Sequence, residues 1–263
     1  MAVIVLASAS GAPGVTTSAL GLALVWPRPV VLVDADPVGG SAILAGYCAG
    51  TVAPNDAMVS LALAHRDGKL DTTVPRVLMT IPGTKVALLP GARSHAQAAS
   101  LTELWPSLAV ELRGLQRTGQ DVLVDVGRLG MAHSASALIA AADVGVLVCR
   151  SDLPALAAAR QWAADWTTAA RDGTGAMSVL GLVIGEGRPY GARDVARTLQ
   201  FPAVESVAWD PDTAAVLSLG KPAGKKLSAT RLMKSLTGVA AAIDHQLAAA
   251  RQETVTRQGV MAR

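Results

Sequence analysis

Aromatic side chains are scarce: Phe, Trp and Tyr make up 3% of 263 residues, with a single Phe. Ala, Val and Leu must therefore fill the core, which favours helices packed closely on a sheet over large aromatic clusters. Cysteine is nearly absent. Cys48 and Cys149 stand far apart in sequence and exclude both a disulfide framework and a cysteine metal site. Cys149 closes an apolar run and is expected as a buried thiol. Charged residues are also few, at 16% against 51% hydrophobic, a balance that excludes disorder and supports a substantial core. No run of 18 uninterrupted apolar residues occurs, so no membrane span is expected. The first ten residues lack the basic start of a secretory signal and their apolar run is too short, although Ala7–Ser8–Ala9 could mimic a cleavage site. A cytoplasmic protein is the expectation.

The charge present is unevenly spread. The formal net charge is +3, yet residues 1–220 carry 15 Lys/Arg against 18 Asp/Glu, and residues 221–263 carry 8 against 2. The first segment is thus −3 and the last +6. A basic end of this kind suits nucleic acid, an acidic partner or anionic lipid, and suits equally a solvated terminal helix.

Apolar runs rich in β-branched residues recur along the chain. Ala2–Ala7, Val30–Val33, Val86–Leu89, Val122–Val124, Val144–Cys149, Val179–Ile184 and Val204–Ala208 read as strands, most of them buried on both faces. Between them Thr17–Val25, Leu101–Leu115, Ala135–Ala142, Leu153–Ala170, Ala192–Leu199, Ala214–Leu219 and Ala229–Arg251 read as helices. Strand–helix alternation of this kind predicts an α/β fold, a doubly wound, mostly parallel sheet with helices on both faces. One domain is expected over residues 1–250, followed by a polar basic tail over 251–263. Ligands in such sheets bind beyond the C-terminal ends of strands, which directs attention to the loops after Ala7, Val33, Val124 and Ile184.

The first of those loops, Ala7-Ser-Ala-Ser-Gly-Ala-Pro-Gly-Val-Thr-Thr17, joins the first strand to the first helix. Glycines there free the backbone to turn its N–H groups toward an anion, and the helix N-terminus adds partial positive charge. A phosphate-binding P-loop reads G-x-x-x-x-G-K-[ST]. Gly14 and Thr16 fit that pattern; Ala9 replaces the first glycine and Val15 the lysine. The plain alternative is an ordinary strand–turn–helix junction.

Further along, Val31-Leu-Val-Asp-Ala-Asp-Pro-Val-Gly-Gly-Ser41, Asp121-Val-Leu-Val-Asp-Val-Gly127, Ala141-Ala-Asp-Val-Gly-Val-Leu-Val148, Asp210-Pro-Asp and Leu219-Gly-Lys-Pro222 follow in order. Together with the loop they resemble the ParA/MinD family over about residues 2–245. That family's loop reads K-G-G-x-G-K-[ST]-[ST]; Gly11, Gly14, Thr16 and Thr17 match it, whereas Ser10 and Val15 stand where it has lysines. The resemblance implies a P-loop nucleotide site formed by Gly11, Ala12, Pro13, Gly14, Val15, Thr16 and Thr17, taking ATP or ADP with Mg²⁺. Thr16 would bind the Mg²⁺ directly and Asp125 support it through water. Asp36 would position the attacking water. Asp34 would stand behind them, tying the second strand to the phosphate loop. A helix-capping turn is the alternative for Asp34–Asp36–Pro37.

Both lysines are missing, and Gly185 lies near the place of the family's adenine-side asparagine. The resemblance is therefore to a degenerate member, closest to the CpaE/TadZ-like variants, with weak or absent ATPase activity. Losing one electrostatic stabiliser of a transition state costs a factor of ~10²–10³. Arg128, just after the Walker B-like strand, is the nearest candidate for a substitute cation. An active ATPase with a relocated cation and a nucleotide-free scaffold remain the rival expectations.

By the same resemblance the chain is expected to form a homodimer and to serve a protein partner in a pilus, secretion, division or segregation system. From Leu227 to Arg251, Leu232, Leu236, Val239, Ile243 and Leu247 form one apolar helix face, with Lys225, Lys226, Arg231 and Lys234 near its start. Packing on the core is one reading of that helix. Contact with nonspecific DNA or an anionic membrane surface, and so recruitment to nucleoid or membrane, is the other.

Overall fold

The apolar runs become strands because their alternate residues can be buried on opposite faces of one sheet. In β1 (Val3–Ser8), Val3, Val5 and Ala7 join one apolar cluster, while Ile4 and Leu6 join the other. The remaining strands are β2 (Val30–Asp34), β3 (Met79–Thr80), β4 (Ala87–Leu89), β5 (Asp121–Arg128), β6 (Val144–Arg150), β7 (Ser178–Ile184) and β8 (Val204–Val207). They lie in the order β3-β4-β2-β5-β1-β6-β7-β8. The pairs are parallel except β3 with β4 at the edge, which is antiparallel. The computed structural model describes residues 1–53, 55–171, 177–224 and 226–261, with Arg171 and 251–261 as backbone.

Helices cover both faces. One cluster is closed by α2 (Ala57–Arg66), α3 (Leu70–Val77), α4 (His95–Ser100), α5 (Leu104–Gly114), α6 (Ser136–Ala140), α7 (Leu153–Arg171) and α8 (Ala192–Leu199). The other is closed by α1 (Val15–Val25), α9 (Pro211–Ser218) and α10 (Arg231–Met261). The apolar stripe Leu232, Leu236, Val239, Ile243 and Leu247 is buried against the core, so this face of α10 is not available to a membrane. The expected boundary at residue 250 falls inside α10. Lys225, Ala262, Arg263 and the side chains of 251–261 lie outside the described residues. Among the described residues no helix is long and apolar enough to cross a membrane.

The expected strands all appear, most within a residue or two of their limits; Val122–Val124 runs on to Arg128 as β5, and the fold is the doubly wound α/β architecture that the alternation implied. What the alternation did not reveal is the stretch after the second strand, which holds α2, α3 and the two-residue edge strand β3. The predicted helix Leu101–Leu115 begins at Leu104, preceded by the separate α4, whose Ser94 hydroxyl caps it by accepting from Gln97 N–H at 3.2 Å.

β1 sits between β5 and β6, where successive strands part to opposite sides of the sheet. A crevice opens at such a reversal, at the C-terminal strand ends. The opposite end of β5 is tied shut. There Asp121 is fully buried and accepts from Ala2 N–H at 2.7 Å, Trp26 Nε1 at 2.9 Å and Arg28 Nε at 2.7 Å. Replacing Asp121 by Ala leaves the Arg28 and Trp26 donors without their acceptor. The variant is expected to lose about 3 kcal/mol or more of unfolding free energy, read by urea denaturation.

Candidate functional site

The loop after β1 enters α1 through two left-handed glycines, Gly11 at φ 61° and Gly14 at φ 107°. Gly14 takes the position before the helix and offers no side chain to cap it. Among the described residues, no backbone N–H from Ser10 to Thr17 donates to another protein group, Pro13 having none to give. Unpaired N–H groups at a helix N-terminus are the elements of an anion site. Val15, where a P-loop has lysine, is 6% exposed and joins the apolar cluster beneath α1.

Three carboxylates approach this loop from the neighbouring strands. Asp34 and Asp125 lie side by side in register on β2 and β5, both buried. Asp125 Oδ1 accepts from Gly127 N–H at 2.9 Å, while Asp125 Oδ2 and Asp34 Oδ2 are buried without a hydrogen-bond partner. The Thr16 hydroxyl approaches the Asp125 carboxylate. Burial first, and the Asp34 charge second, push the Asp125 carboxyl up to about 7, against the lowering pull of Thr16 and Gly127. Burial also raises Asp34, against contacts from Ser41, Asp36 N–H and Gly91 that favour its charged form. Asp121 makes a contrast. On one strand, about 13 Å apart, one buried carboxylate is fully satisfied and the other keeps an oxygen without a hydrogen-bond partner.

Asp36 is held over the end of β5. Its carboxylate accepts from Val38 N–H at 2.9 Å and presses on Gly127, where a Cβ would lie 2.5 Å from Asp36 Cγ. Gly127 also has φ 65°. Gly127→Ala therefore combines backbone strain with displacement of Asp36. It is expected to lower the melting temperature by several degrees, at about 1–3 kcal/mol for the strained conformation alone.

A cleft of about 480 Å³ brings these parts together, lined by the loop from Gly11 to Thr17 and by Asp36, Gly127 and Arg128. Asp125 does not line it but touches Thr16 and Gly127, which do. Arg128 enters the cleft at its rim, with Nη2 3.2 Å from Met131 Sδ. The His95 and His133 rings meet at 5.7 Å, tilted by 57°, and His95 Nδ1 lies 3.3 Å from Pro37 O, joining the loops after β2 and β5. Among the described residues no group of three or more His, Cys, Asp or Glu is arranged to hold a metal by itself. A Mg²⁺ here would need oxygens from a phosphate and water beyond those of Thr16 and Asp125.

A second pocket adjoins the first across the loop. About 230 Å³ in volume, it is lined by Gly14, Thr17, Ser18, Arg150, Trp209 and Asp210, among others. The guanidinium carbons of Arg150 and Arg188 lie over the Trp209 ring at 5.5 and 4.9 Å. Sequence reading looked for chemistry after β1, β2, β5 and β7, and missed Arg150 and Trp209 at the ends of β6 and β8. The signal was present: a cation ending a buried strand and a tryptophan just before Asp210–Pro211.

With this geometry in place, solved structures of similar shape can be compared. The cell division ATPase MinD of Pyrococcus furiosus superposes with a TM-score of 0.73 at 18% identity, covering 93% of this chain and 99% of its own. The fold is that of the ParA/MinD P-loop proteins. The septum site-determining protein MinD of Pyrococcus horikoshii OT3, solved with Mg-ADP, gives 0.72 at 16% identity, covering 95% and 98%. A ParA family ATPase from Chlorobium tepidum TLS gives 0.69 at 16%, covering 91% and 97%. The sequence matches no protein-family model and no curated protein. At these identities the shared feature is the ParA/MinD fold alone.

Proposed function

We propose that the chain binds ATP or ADP with Mg²⁺ in the cleft at the end of β1, hydrolyses it poorly or not at all, and acts as a dimeric organiser that positions other cellular machinery. One observation carries this reading: a buried Asp125 oxygen without a partner, beside the Thr16 hydroxyl and a loop of unpaired N–H groups. Phosphate oxygens fit the N–H groups, and Thr16 and Asp125 fit a Mg²⁺ between phosphate and protein. When bound, the Mg²⁺ offsets negative charge on the phosphates. Asp36, at the cleft wall, is placed to hold a water. Val15 supplies no charge, and Ser10 has no reach toward a second copy, which is why hydrolysis is expected to be poor.

Dimer formation is supported by exposed apolar side chains: Val38, which lines the cleft, is 59% exposed, and Leu219, which lines the adjoining pocket, is 74% exposed. Pilus, secretion, division or segregation systems are the classes of machinery that the ParA/MinD likeness suggests. Lys226, Arg231 and Lys234 are exposed near the start of α10 and suit weak attraction to DNA or an anionic surface. A second reading is an active ATPase whose cation has moved, favoured by Arg128 at the cleft rim.

A phosphate-release assay with Mg·ATP separates the two. The proposal predicts turnover at background for the wild type, unchanged in Asp36→Ala and Arg128→Ala. Measurable release that Asp36→Ala abolishes would overturn the inactive-site reading, and a parallel loss in Arg128→Ala would name the relocated cation.

A further inference from the structure

A third hollow, of about 860 Å³, lies at the strand ends opposite the phosphate loop. The end of α1, Val30 at the start of β2, the turn between β3 and β4, Tyr47 and the segment leading into α10 enclose it. None of its lining residues lines the cleft or the pocket beside the cleft. Its volume falls in the range of small-molecule sites, about 300–1,000 Å³. Leu24, Val25, Tyr47 and Leu227, all half-buried, line it, and so do the buried Trp26 and Met233. Apolar side chains around a hollow that the chain leaves unfilled are the usual lining of a ligand pocket.

The charged groups around it have one sign. Arg28 and Lys85 line the hollow, and no Asp or Glu does. Arg28 is already matched: its Nε donates to Asp121 Oδ2 and its Nη1 to Asp244 Oδ1, each at 2.7 Å. Lys85 is not matched; among the described residues it makes no ion pair. The turn that carries it is closely bonded. Ile81 N–H donates to Val86 O at 3.0 Å, and the Thr84 hydroxyl donates to Ile81 O at 2.9 Å while accepting from Val86 N–H at 3.1 Å. These bonds fix the backbone of Lys85 at the edge of the hollow and leave its long stem free to carry the ammonium over it. Lys226, exposed beside the lining Leu227, adds positive charge. The Tyr47 hydroxyl has no hydrogen-bond partner among the described residues. Burial first, and Cys48 second, push its phenol above the ordinary value, so it keeps its proton and can donate.

We propose that this hollow binds a small amphipathic anion, whose apolar ring or acyl body lies against Leu24, Val25 and Leu227 and whose anionic head meets Lys85 and the Tyr47 hydroxyl. The site is separate from the nucleotide cleft and needs no nucleotide. The apolar body supplies affinity through the area it takes out of water, and the unmatched ammonium selects the sign of the head.

Fluorescence titration with two probes tests it: 8-anilinonaphthalene-1-sulfonate, and N-phenyl-1-naphthylamine, which has the same rings and no sulfonate. The anionic probe is expected to bind saturably. Lys85→Met, a change at an exposed turn position, is expected to weaken it about three- to fivefold, the scale of one exposed charge pair, and to leave the neutral probe unchanged. Leu227→Glu, which sets a negative charge in the hollow, is expected to weaken the anionic probe about tenfold or more. Mg·ADP and Mg·tripolyphosphate are expected not to displace it. An anionic-probe affinity unchanged in Lys85→Met would overturn the proposal, as would equal losses for the two probes in that variant. Absence of saturable binding, or displacement by Mg·ADP, which would place the probe in the nucleotide cleft, would overturn it too. If Leu227→Glu does not fold, the two-probe comparison in Lys85→Met decides.

Discussion

Asp125→Asn is expected to stabilise the ligand-free protein and to abolish its Mg²⁺-dependent nucleotide binding. The carboxyl is fully buried and, chiefly through that burial, pushed up to about 7 from 3.8. Between those values the folded chain holds a proton that the unfolded chain has released. Stability therefore falls as pH rises from about 4 to about 7, and Asp34, raised in the same direction, adds to the fall. The full swing for Asp125 is on the order of 4 kcal/mol. Asparagine keeps the shape and carries no charge, so the variant and the wild type should melt at similar temperatures near pH 4.5. Near pH 7.5 the variant should melt about 5–10 °C higher. Saturating Mg·ADP should raise the wild type and leave the variant where it was. Equal melting temperatures at both pH values would show that Asp125 meets no such penalty.

Val15→Lys is expected to raise affinity for Mg·ATP by about 10²-fold, the scale of one well-placed charge at a phosphate. Val15 is buried under the loop yet lines the phosphate cleft. A lysine stem can follow the apolar path of the valine and bring its ammonium to the cleft. Calorimetry of the variant against the wild type reads the change directly. Unaltered affinity would mean that the ammonium cannot reach the phosphates from this backbone, and that the valine is not what weakens the site.

The fold was legible because buried parallel strands announce themselves as apolar runs and because strands and helices alternate. The loop after the first strand was legible for a related reason: Gly11, Gly14 and Thr16 stand close together and directly follow a strand. What escaped was of two kinds. β3 has two residues at a sheet edge, too short for any periodicity, and α3 carries Pro75 in its interior, which reads as a helix breaker. The Arg150–Trp209 wall escaped because its members come from separate strands and meet only when β6, β7 and β8 lie side by side. The unsatisfied state of Asp125 could not be read either. Asp121 and Asp125 flank the same apolar run, and only the packed structure shows that one is tied by three donors and the other is not.

The most direct test of the nucleotide-binding reading is titration calorimetry of the wild-type chain with ADP, in Mg²⁺ and again in excess chelator. Saturable binding of one ADP per chain in Mg²⁺, lost on chelation and absent in Asp125→Asn, is the predicted result. No heat and no change in melting temperature at millimolar Mg·ADP would contradict it.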